Sequence, residues 1–145
     1  VSALAKMMRY TTYAESNSLY NTPPVFAVFI FDLILQWIEE QGGLVGVQSL
    51  NRRKADVIYS CLDDLSPFFQ GHADVDSRSS MNITFKTGDA TVDVRFCAEA
   101  AEAGMAGLAG HRSVGGVRAS VYNAMPLAGC EALAQFMRDF AAKNG

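Results

Sequence analysis

The sequence has few of the residues that build disulfide frameworks and metal sites. Its 145 residues include three cysteines, Cys61, Cys97 and Cys130, and only two histidines. The cysteines are odd in number and far apart, and no Cys-x-x-Cys pair occurs, so a disulfide scaffold and a zinc site are not expected. Each cysteine falls at an apolar position of a helical pattern. The pattern predicts small core residues in a reduced, cytoplasmic setting.

The chain also lacks the charge blocks and apolar runs of nucleic-acid and membrane proteins. Its net charge is −3, and its tightest basic cluster, residues 52–54, lies in a helical pattern that predicts a solvated helix face. The apolar run Val25–Phe31 continues to Ile38 with Asp32 and Gln36 inside it. That pattern is too short and too polar for a membrane span and predicts a buried helix. We therefore expect no nucleic-acid partner and no membrane partner.

The remaining features describe a chain of one domain's length, half of it hydrophobic, which is enough for an ordinary core. Hydrophobic periodicity predicts the α/β class in its α+β form, with a small, mainly antiparallel sheet packed against helices. An extended, irregular N-terminal segment is expected over residues 1–22. The predicted helices span 23–41, 44–65, 90–103 and 126–143, and the predicted strands lie around 68–69 and at 81–86, 105–109 and 117–122.

The stretch 110–123 places cationic side chains beside a flexible turn. His111, Arg112 and Arg118 fall within eight residues, with Gly115 and Gly116 among them. Strand alternation puts Arg118 on a polar face, away from the apolar side chains of the core. Each guanidinium can bind a carboxylate or phosphate through two hydrogen bonds. The stretch therefore predicts a binding loop for a small molecule with two anionic ends, and a hairpin with surface arginines is the alternative.

A second candidate lies where the first helix should begin, at Asn21-Thr22-Pro23-Pro24. Thr22 is predicted as the N-cap, and Pro23 suits the first helical turn, where its missing N–H costs nothing. The free N–H groups and the positive dipole end of a helix bind phosphate well, and Asn21 and Thr22 add side-chain donors. An ordinary capped helix is the alternative.

Together these motifs resemble one family. Asn-Thr-Pro-Pro at 21–24, Met-Asn at 81–82, Gly-His-Arg-x-x-Gly-Gly-x-Arg-Ala-Ser at 110–120 and Tyr-Asn-Ala-Met-Pro at 122–126 resemble the phosphoserine aminotransferases in order and spacing. These are class V, fold type I pyridoxal-phosphate enzymes. The resemblance runs over essentially the whole chain but covers only the C-terminal part of such an enzyme. It implies that residues 1–145 form the C-terminal small domain and that the large cofactor-binding domain is absent.

The resemblance also implies a reaction and a partner. An amino group moves between glutamate and 3-phosphohydroxypyruvate, giving 2-oxoglutarate and O-phosphoserine in serine biosynthesis. Arg118 would hold the substrate α-carboxylate, while His111 and Arg112 would contact the distal phosphate or carboxylate. Asn21 and Thr22 would reach the phosphate of pyridoxal 5'-phosphate in the neighbouring subunit, which implies a homodimer with shared sites. Charge complementarity agrees, because both substrates carry at least two negative charges.

A pyridoxal-phosphate transaminase needs a lysine that bonds covalently to the cofactor. The lysines here are Lys6, Lys54, Lys86 and Lys143, and none has a context that resembles the family's cofactor lysine. Lys54 and Lys143 are predicted on helix surfaces, and Lys86 at the end of a strand. We therefore expect no catalytic residue in this chain and no transaminase activity from it alone. The absence of an initial Met fits a piece of a longer protein.

Two alternatives stay open. Another class V aminotransferase, acting on alanine, serine or glyoxylate, needs only one carboxylate clamp, and the pair His111-Arg112 argues against it. A free-standing anion-binding or dimerisation module would need no chemistry, and a native product of 145 residues would favour it.

Overall fold

The computed structural model describes residues 4–145. The chain forms two compact units, one ending at Gly43 and the other spanning Leu44–Gly145. The first unit contains a 3-10 turn, Lys6–Met8, and the helices α1 (Tyr10–Ala14) and α2 (Val25–Glu40). The rest of the chain forms α3 (Gly43–Asp64), β1 (Gln70–Gly71), a 3-10 turn (Val75–Ser77), β2 (Asn82–Lys86), α4 (Ala90–Glu102), β3 (Val117–Ser120) and α5 (Leu127–Asn144).

The N-terminal segment is partly helical, where the sequence predicted an extended, irregular chain; residues 1–3 of that prediction lie outside the described part. The buried Thr12 hydroxyl donates to the Lys6 carbonyl at 2.9 Å. The rings of Tyr13 and Tyr20 meet edge-on at 5.9 Å, and the Lys6 ammonium lies 5.2 Å from the Tyr20 ring. These contacts need no apolar periodicity, which is why the pattern did not reveal the helices.

Helix α2 begins later than predicted. Its N-cap position is Pro24, without a side-chain cap, so the prediction that Thr22 is the N-cap was wrong. The cause is steric, because a residue before proline is driven out of the helical region, and Pro24 does this to Pro23. The predicted end is confirmed, since Gly42 and Gly43 terminate the helix with φ of 87° and 69°.

The apolar side chains of α2 are exposed. None of its residues is buried, and Phe26 is 75% exposed. The prediction of a buried helix is therefore wrong for this chain. An apolar composition indicates that a helix is stabilised when its side chains are removed from water. It does not identify the segment that packs against them. Among residues 4–145, no helix has both the length and the hydropathy that crossing a bilayer requires.

The second unit confirms the α+β architecture. Its antiparallel sheet has the order β1-β2-β3, and Thr84 pairs with Arg118 across β2 and β3. Helices α3, α4 and α5 begin and end within about two residues of the predicted ranges. The buried side chains of the two longer strands alternate as predicted: Ile83, Phe85, Val117 and Ala119.

Two predicted strands differ from the structure. The Phe69 N–H donates to the Leu65 carbonyl at 3.3 Å, so the chain is still turning there and becomes extended only at β1. The predicted strand 105–109 is reduced to one bridge, between Ala109 and Val117. Positive φ at Gly104 and Gly107, 86° and 79°, interrupts the extended backbone that a longer strand would need.

The structure corrects the prediction for one lysine of helix α3. Lys54 was predicted on a solvated face with its basic neighbours, but it is 0% exposed. The buried residues Val47, Asn51, Lys54, Ile58 and Cys61 follow one another at intervals of three and four, which places them on one face of the helix. Lys54 therefore belongs to the inner stripe, and only its two arginine neighbours are exposed.

A buried carboxylate fixes the turn between β2 and α4. Both the N–H and the hydroxyl of Thr87 donate to Asp93 Oδ1, at 2.7 and 2.9 Å. We expect Asp93→Ala to lower the free energy of unfolding by about 2 kcal/mol, because the buried Thr87 donors lose their acceptor. Asp93→Asn keeps an acceptor oxygen and should cost clearly less. Urea denaturation of both variants checks this, and equal losses would contradict it.

Candidate functional site

The loop 110–116 is folded back on itself before β3. The Gly110 N–H donates to the Gly116 carbonyl at 2.9 Å, and the Gly115 N–H donates to the His111 carbonyl at 2.8 Å. Gly115 and Gly116 have φ of 74° and 70°, in the region that favours glycine. A Cβ on Gly116 would also lie 2.8 Å from the Phe85 carbonyl oxygen. The glycines thus bring the loop close against β2.

A cleft of about 440 Å³, here called the sheet cleft, lies at this loop and at β2 and β3. No acidic residue lines it within the described part of the chain, although the whole chain has a net charge of −3. Four of its side chains are cationic or can become so: His72, Lys86, His111 and Arg118. A cleft whose ionisable side chains are all basic attracts anions.

Arg118 lines this cleft and has a buried donor without an acceptor in the described part of the chain. Its backbone is fixed in β3, where its N–H donates to the Leu108 carbonyl at 2.7 Å. Its Nε is buried and has no hydrogen-bond partner among residues 4–145. A buried donor without an acceptor costs free energy. Because Nε is closed to solvent, the side chain has to turn before a bound carboxylate can pair with it, and the planar guanidinium suits such a pairing geometrically.

Ser113 contacts one nitrogen of the His111 ring. The Ser113 N–H donates to His111 Nδ1 at 3.3 Å, and the Ser113 hydroxyl lies 2.7 Å from the same atom. With Nδ1 as the acceptor of this N–H, the neutral ring carries its proton on Nε2. The exposed imidazole can therefore donate from Nε2 to an anion.

Arg112 lies on the other side of the loop. It lines a hollow of about 310 Å³ at α4, together with Asp93, Val94 and Cys97, and His111 lines both this hollow and the sheet cleft. Among the three predicted substrate-binding residues, the structure thus brings His111 and Arg118 to one cleft. Arg112 borders the adjoining hollow.

The two predicted cofactor-binding residues belong to the first unit. Asn21 and Thr22 are exposed, and Asn21 Nδ2 donates to the Tyr13 hydroxyl at 3.4 Å. The N–H groups of Phe26 and Ala27, at the start of α2, have no hydrogen-bond acceptor in residues 4–145. An amide, a hydroxyl and two free N–H groups at a helix N-terminus are donors that fit a phosphate.

Comparison with known proteins defines the family. The sequence pattern of the family Aminotransferase class-V matches residues 3–133. The chain belongs to the class-V aminotransferases. It is 57% identical over 139 residues to a phosphoserine aminotransferase of Herpetosiphon aurantiacus, covering 96% of this chain and 39% of the relative. The relative from Bacillus subtilis is 49% identical, with the same coverage of 96% and 39%.

Solved structures of class-V aminotransferases agree in fold. The phosphoserine aminotransferase of Bacillus circulans subsp. alkalophilus superposes with a TM-score of 0.91 at 50% identity, over 100% of this chain and 40% of that one. The PLP-bound phosphoserine aminotransferase of Trichomonas vaginalis gives 0.82 at 36% identity, over 95% and 39%. This class-V aminotransferase chain thus spans about two fifths of the length of the relatives it matches.

Sequence reasoning did not single out two of the basic residues in the sheet cleft. Lys86 shares the polar face of β2 with Thr84, which pairs with Arg118. His72 follows β1, and its N–H donates to the Thr84 carbonyl at 3.0 Å. Burial alternates along β2, and this puts Lys86 on the polar face of the strand. Only the pairing of the strands could show that this face also carries Arg118.

A buried polar network after β3 was also missed. Lys54 Nζ donates to the carbonyls of Tyr122 and Asn123 at 2.7 and 3.3 Å, and Asn51 Nδ2 donates to Asn123 Oδ1 at 2.8 Å. Burial lowers the pKa of Lys54 because it disfavours the charged form. A lysine with a lowered pKa resembles a nucleophile, but this amine is committed to two backbone carbonyls and is closed to solvent. It is not placed to bond to a cofactor.

Proposed function

We propose that this chain is the C-terminal small domain of a phosphoserine aminotransferase. Within the full-length enzyme it serves the transfer of an amino group between glutamate and 3-phosphohydroxypyruvate, which gives 2-oxoglutarate and O-phosphoserine. The observation that carries the proposal is that Arg118, whose Nε is buried and unpartnered, lines a cleft that has basic but no acidic side chains among the described residues. The similarity to phosphoserine aminotransferases over nearly the whole chain supports the same assignment.

Each proposed role follows from the chemistry of the group. Arg118 binds the substrate α-carboxylate, because its fork offers paired donors and its Nε lacks an acceptor. His111 donates from Nε2 to the distal phosphate or carboxylate. Arg112 supplies the second positive charge at that end, from the adjoining side of the loop. The two sites together would select molecules that are anionic at both ends.

Pyridoxal 5'-phosphate is the proposed cofactor, and it supplies an electron sink for the amino-group transfer. Asn21 and Thr22, with the free N–H groups of Phe26 and Ala27, would hold its phosphate. We assign this phosphate to the neighbouring subunit of a homodimer, as the resemblance implies. The lysine that bonds to the cofactor would lie outside this chain, since Lys54 is sequestered and no other lysine here has a matching context. The free thiols of Cys61, Cys97 and Cys130 support a cytoplasmic setting.

The choice of amino acceptor tests this function. In the full-length enzyme, with glutamate as donor, we expect kcat/KM for 3-phosphohydroxypyruvate to exceed that for pyruvate by at least about a hundredfold. Pyruvate would leave the distal cationic groups without a partner. Coupled detection of 2-oxoglutarate measures both rates. Equal rates, or a preference for pyruvate or glyoxylate, would favour another class V aminotransferase, and no turnover with any acceptor would favour a module without chemistry.

A further inference from the structure

We propose that Lys54, assisted by Asn51, is a positioning residue for Arg118. The pair ties helix α3 to the turn that follows β3, and so fixes the strand from which Arg118 reaches the sheet cleft. The inference rests on the proposed function, in which Arg118 binds a substrate carboxylate. It assigns Lys54 a role in substrate recognition although the lysine contacts no substrate.

The first observation is the burial of a charge without an opposite charge. Lys54 is fully buried, and within residues 4–145 no carboxylate forms an ion pair with it. Removing an ammonium group from water is unfavourable unless its hydrogen bonds are replaced. Packing alone would be served as well by a methionine of similar length. What the amine adds to packing is its hydrogen bonds to two backbone carbonyls.

The second observation is where those carbonyls lie. The Tyr122 carbonyl accepts from Lys54 at 2.7 Å and also from the Met125 N–H at 2.9 Å, so Lys54 binds the turn 122–125 at the bond that closes it. One residue earlier, the Val121 N–H donates to the Met81 carbonyl at 2.7 Å, which continues the pairing of β2 with β3. Lys54 thus holds one end of a strand whose other end joins the loop 110–116.

The third observation is a parallel bond from the preceding turn of the same helix. Asn51 Nδ2 donates to the Asn123 side chain at 2.8 Å, while Asn51 Oδ1 is buried without a partner in the described chain. Residues 51 and 54 lie on one face of α3, so both bonds depend on the same helix register. A sliding of α3 along the turn would break all three bonds together.

The consequence is a specific change in binding. In Lys54→Met the length and packing of the side chain are kept, and removal of a buried charge is often tolerated by the fold. The turn after β3 would lose its anchor, and a shift of Arg118 by about 1 Å is enough to cost roughly a hundredfold in rate. The loss should fall mainly on the recognition of the α-carboxylate, because Arg118 lies in β3 itself. The loop that carries His111 and Arg112 is closed by its own hydrogen bonds, from the Gly110 N–H to the Gly116 carbonyl and from the Gly115 N–H to the His111 carbonyl.

The experiment uses the full-length enzyme loaded with pyridoxal phosphate and compares two ligands. O-phosphoserine carries the α-carboxylate, and O-phosphoethanolamine lacks it. In Lys54→Met we expect O-phosphoserine to bind about tenfold to a hundredfold more weakly and O-phosphoethanolamine to bind unchanged. Lys143→Met, the same change at an exposed lysine of α5, should leave both ligands unaffected. In an Arg118→Gln background, Lys54→Met should have little further effect on O-phosphoserine, because the two residues act as one unit.

Equal weakening of both ligands, no weakening of either, or losses that add in the Arg118→Gln background would overturn the positioning role. If Lys54→Met yields no folded enzyme, Asn51→Ala is tested instead. We expect it to weaken O-phosphoserine binding by a smaller factor and to leave O-phosphoethanolamine binding unchanged. Equal weakening of both ligands, or no weakening, would overturn the proposal. Failure of the proposed function would give a different result. If Arg118 does not bind the substrate carboxylate, Arg118→Gln alone leaves O-phosphoserine binding unchanged. If only the positioning role of Lys54 is wrong, Arg118→Gln still weakens O-phosphoserine binding.

Discussion

Replacing Phe96 with alanine is expected to lower the free energy of unfolding of the protein by about 4 kcal/mol. Phe96 is 0% exposed, and its ring centroid lies 5.1 to 5.9 Å from those of Phe69, Phe85, Phe136 and Phe140, each in an edge-to-face geometry. The partner rings come from the chain before β1, from β2 and from α5. The truncation leaves a cavity that the surrounding elements cannot fill without moving the sheet and a helix.

Urea denaturation followed by circular dichroism measures this loss. Val94→Ala is a matched control on the same helix, because Val94 is 71% exposed and its truncation should change stability by less than about 0.5 kcal/mol. Phe96→Leu should lie between the two, since it keeps part of the buried volume. A loss of about 1 kcal/mol or less in Phe96→Ala would show that the cluster does not form the centre of the core.

The parts of the fold that were predictable are those with a local cause. The faces of β2 and β3 follow from alternation, because each strand is buried on one side only. The end of α2 follows from Gly42 and Gly43, which adopt the left-handed conformation that stops a helix. Helices α3, α4 and α5 follow from apolar spacing along one face. In each case the residues that decide the structure lie within one or two turns of one another.

The predictions that were wrong concern features with non-local causes. Lys54 was placed on a surface because lysine is rarely buried, and its acceptors, the carbonyls of Tyr122 and Asn123, lie 68 and 69 residues away along the chain. The exposure of α2 could not be foreseen, because hydrophobicity does not identify the surface that covers it. The N-terminal helices are held by contacts such as Thr12 with Lys6, which leave no periodic pattern.

The candidate site shows the same division. The sequence identified His111, Arg112 and Arg118 by residue type and by the glycines among them. It did not show that Arg112 borders a hollow at α4 while Arg118 lies in the sheet cleft, because that depends on how the loop folds back. Nor did it show the contribution of Lys86, which requires the register of β2 against β3. The pairing of β2 with β3 therefore shows which side chains share the cleft, and the motif at 110–123 alone does not.

Replacing Arg118 with glutamine in the full-length enzyme is expected to lower kcat/KM by about a thousandfold for both glutamate and 3-phosphohydroxypyruvate. Both proposed substrates present an α-carboxylate, and removing one member of a desolvated, hydrogen-bonded charge pair costs about 4 kcal/mol, which corresponds to roughly a thousandfold. The variant removes the guanidinium of Arg118, which lines the sheet cleft and is proposed to pair with that carboxylate. Steady-state kinetics with each substrate in turn measures the effect.

Three further variants decide whether this loss belongs to the carboxylate. Arg118→Lys keeps the charge but not the paired donors, so its loss should be intermediate. Arg112→Gln should act mainly on the distal end of the substrate, and should reduce the preference for 3-phosphohydroxypyruvate over pyruvate more than it reduces the rate with pyruvate. Arg53→Gln, at an exposed arginine of α3, removes the same charge elsewhere and should leave all rates within about twofold, since a solvated charge contributes little. Wild-type rates in Arg118→Gln would mean that the cleft at β3 does not bind the substrate carboxylate, because among residues 4–145 no other side chain lining it has a buried donor that lacks an acceptor.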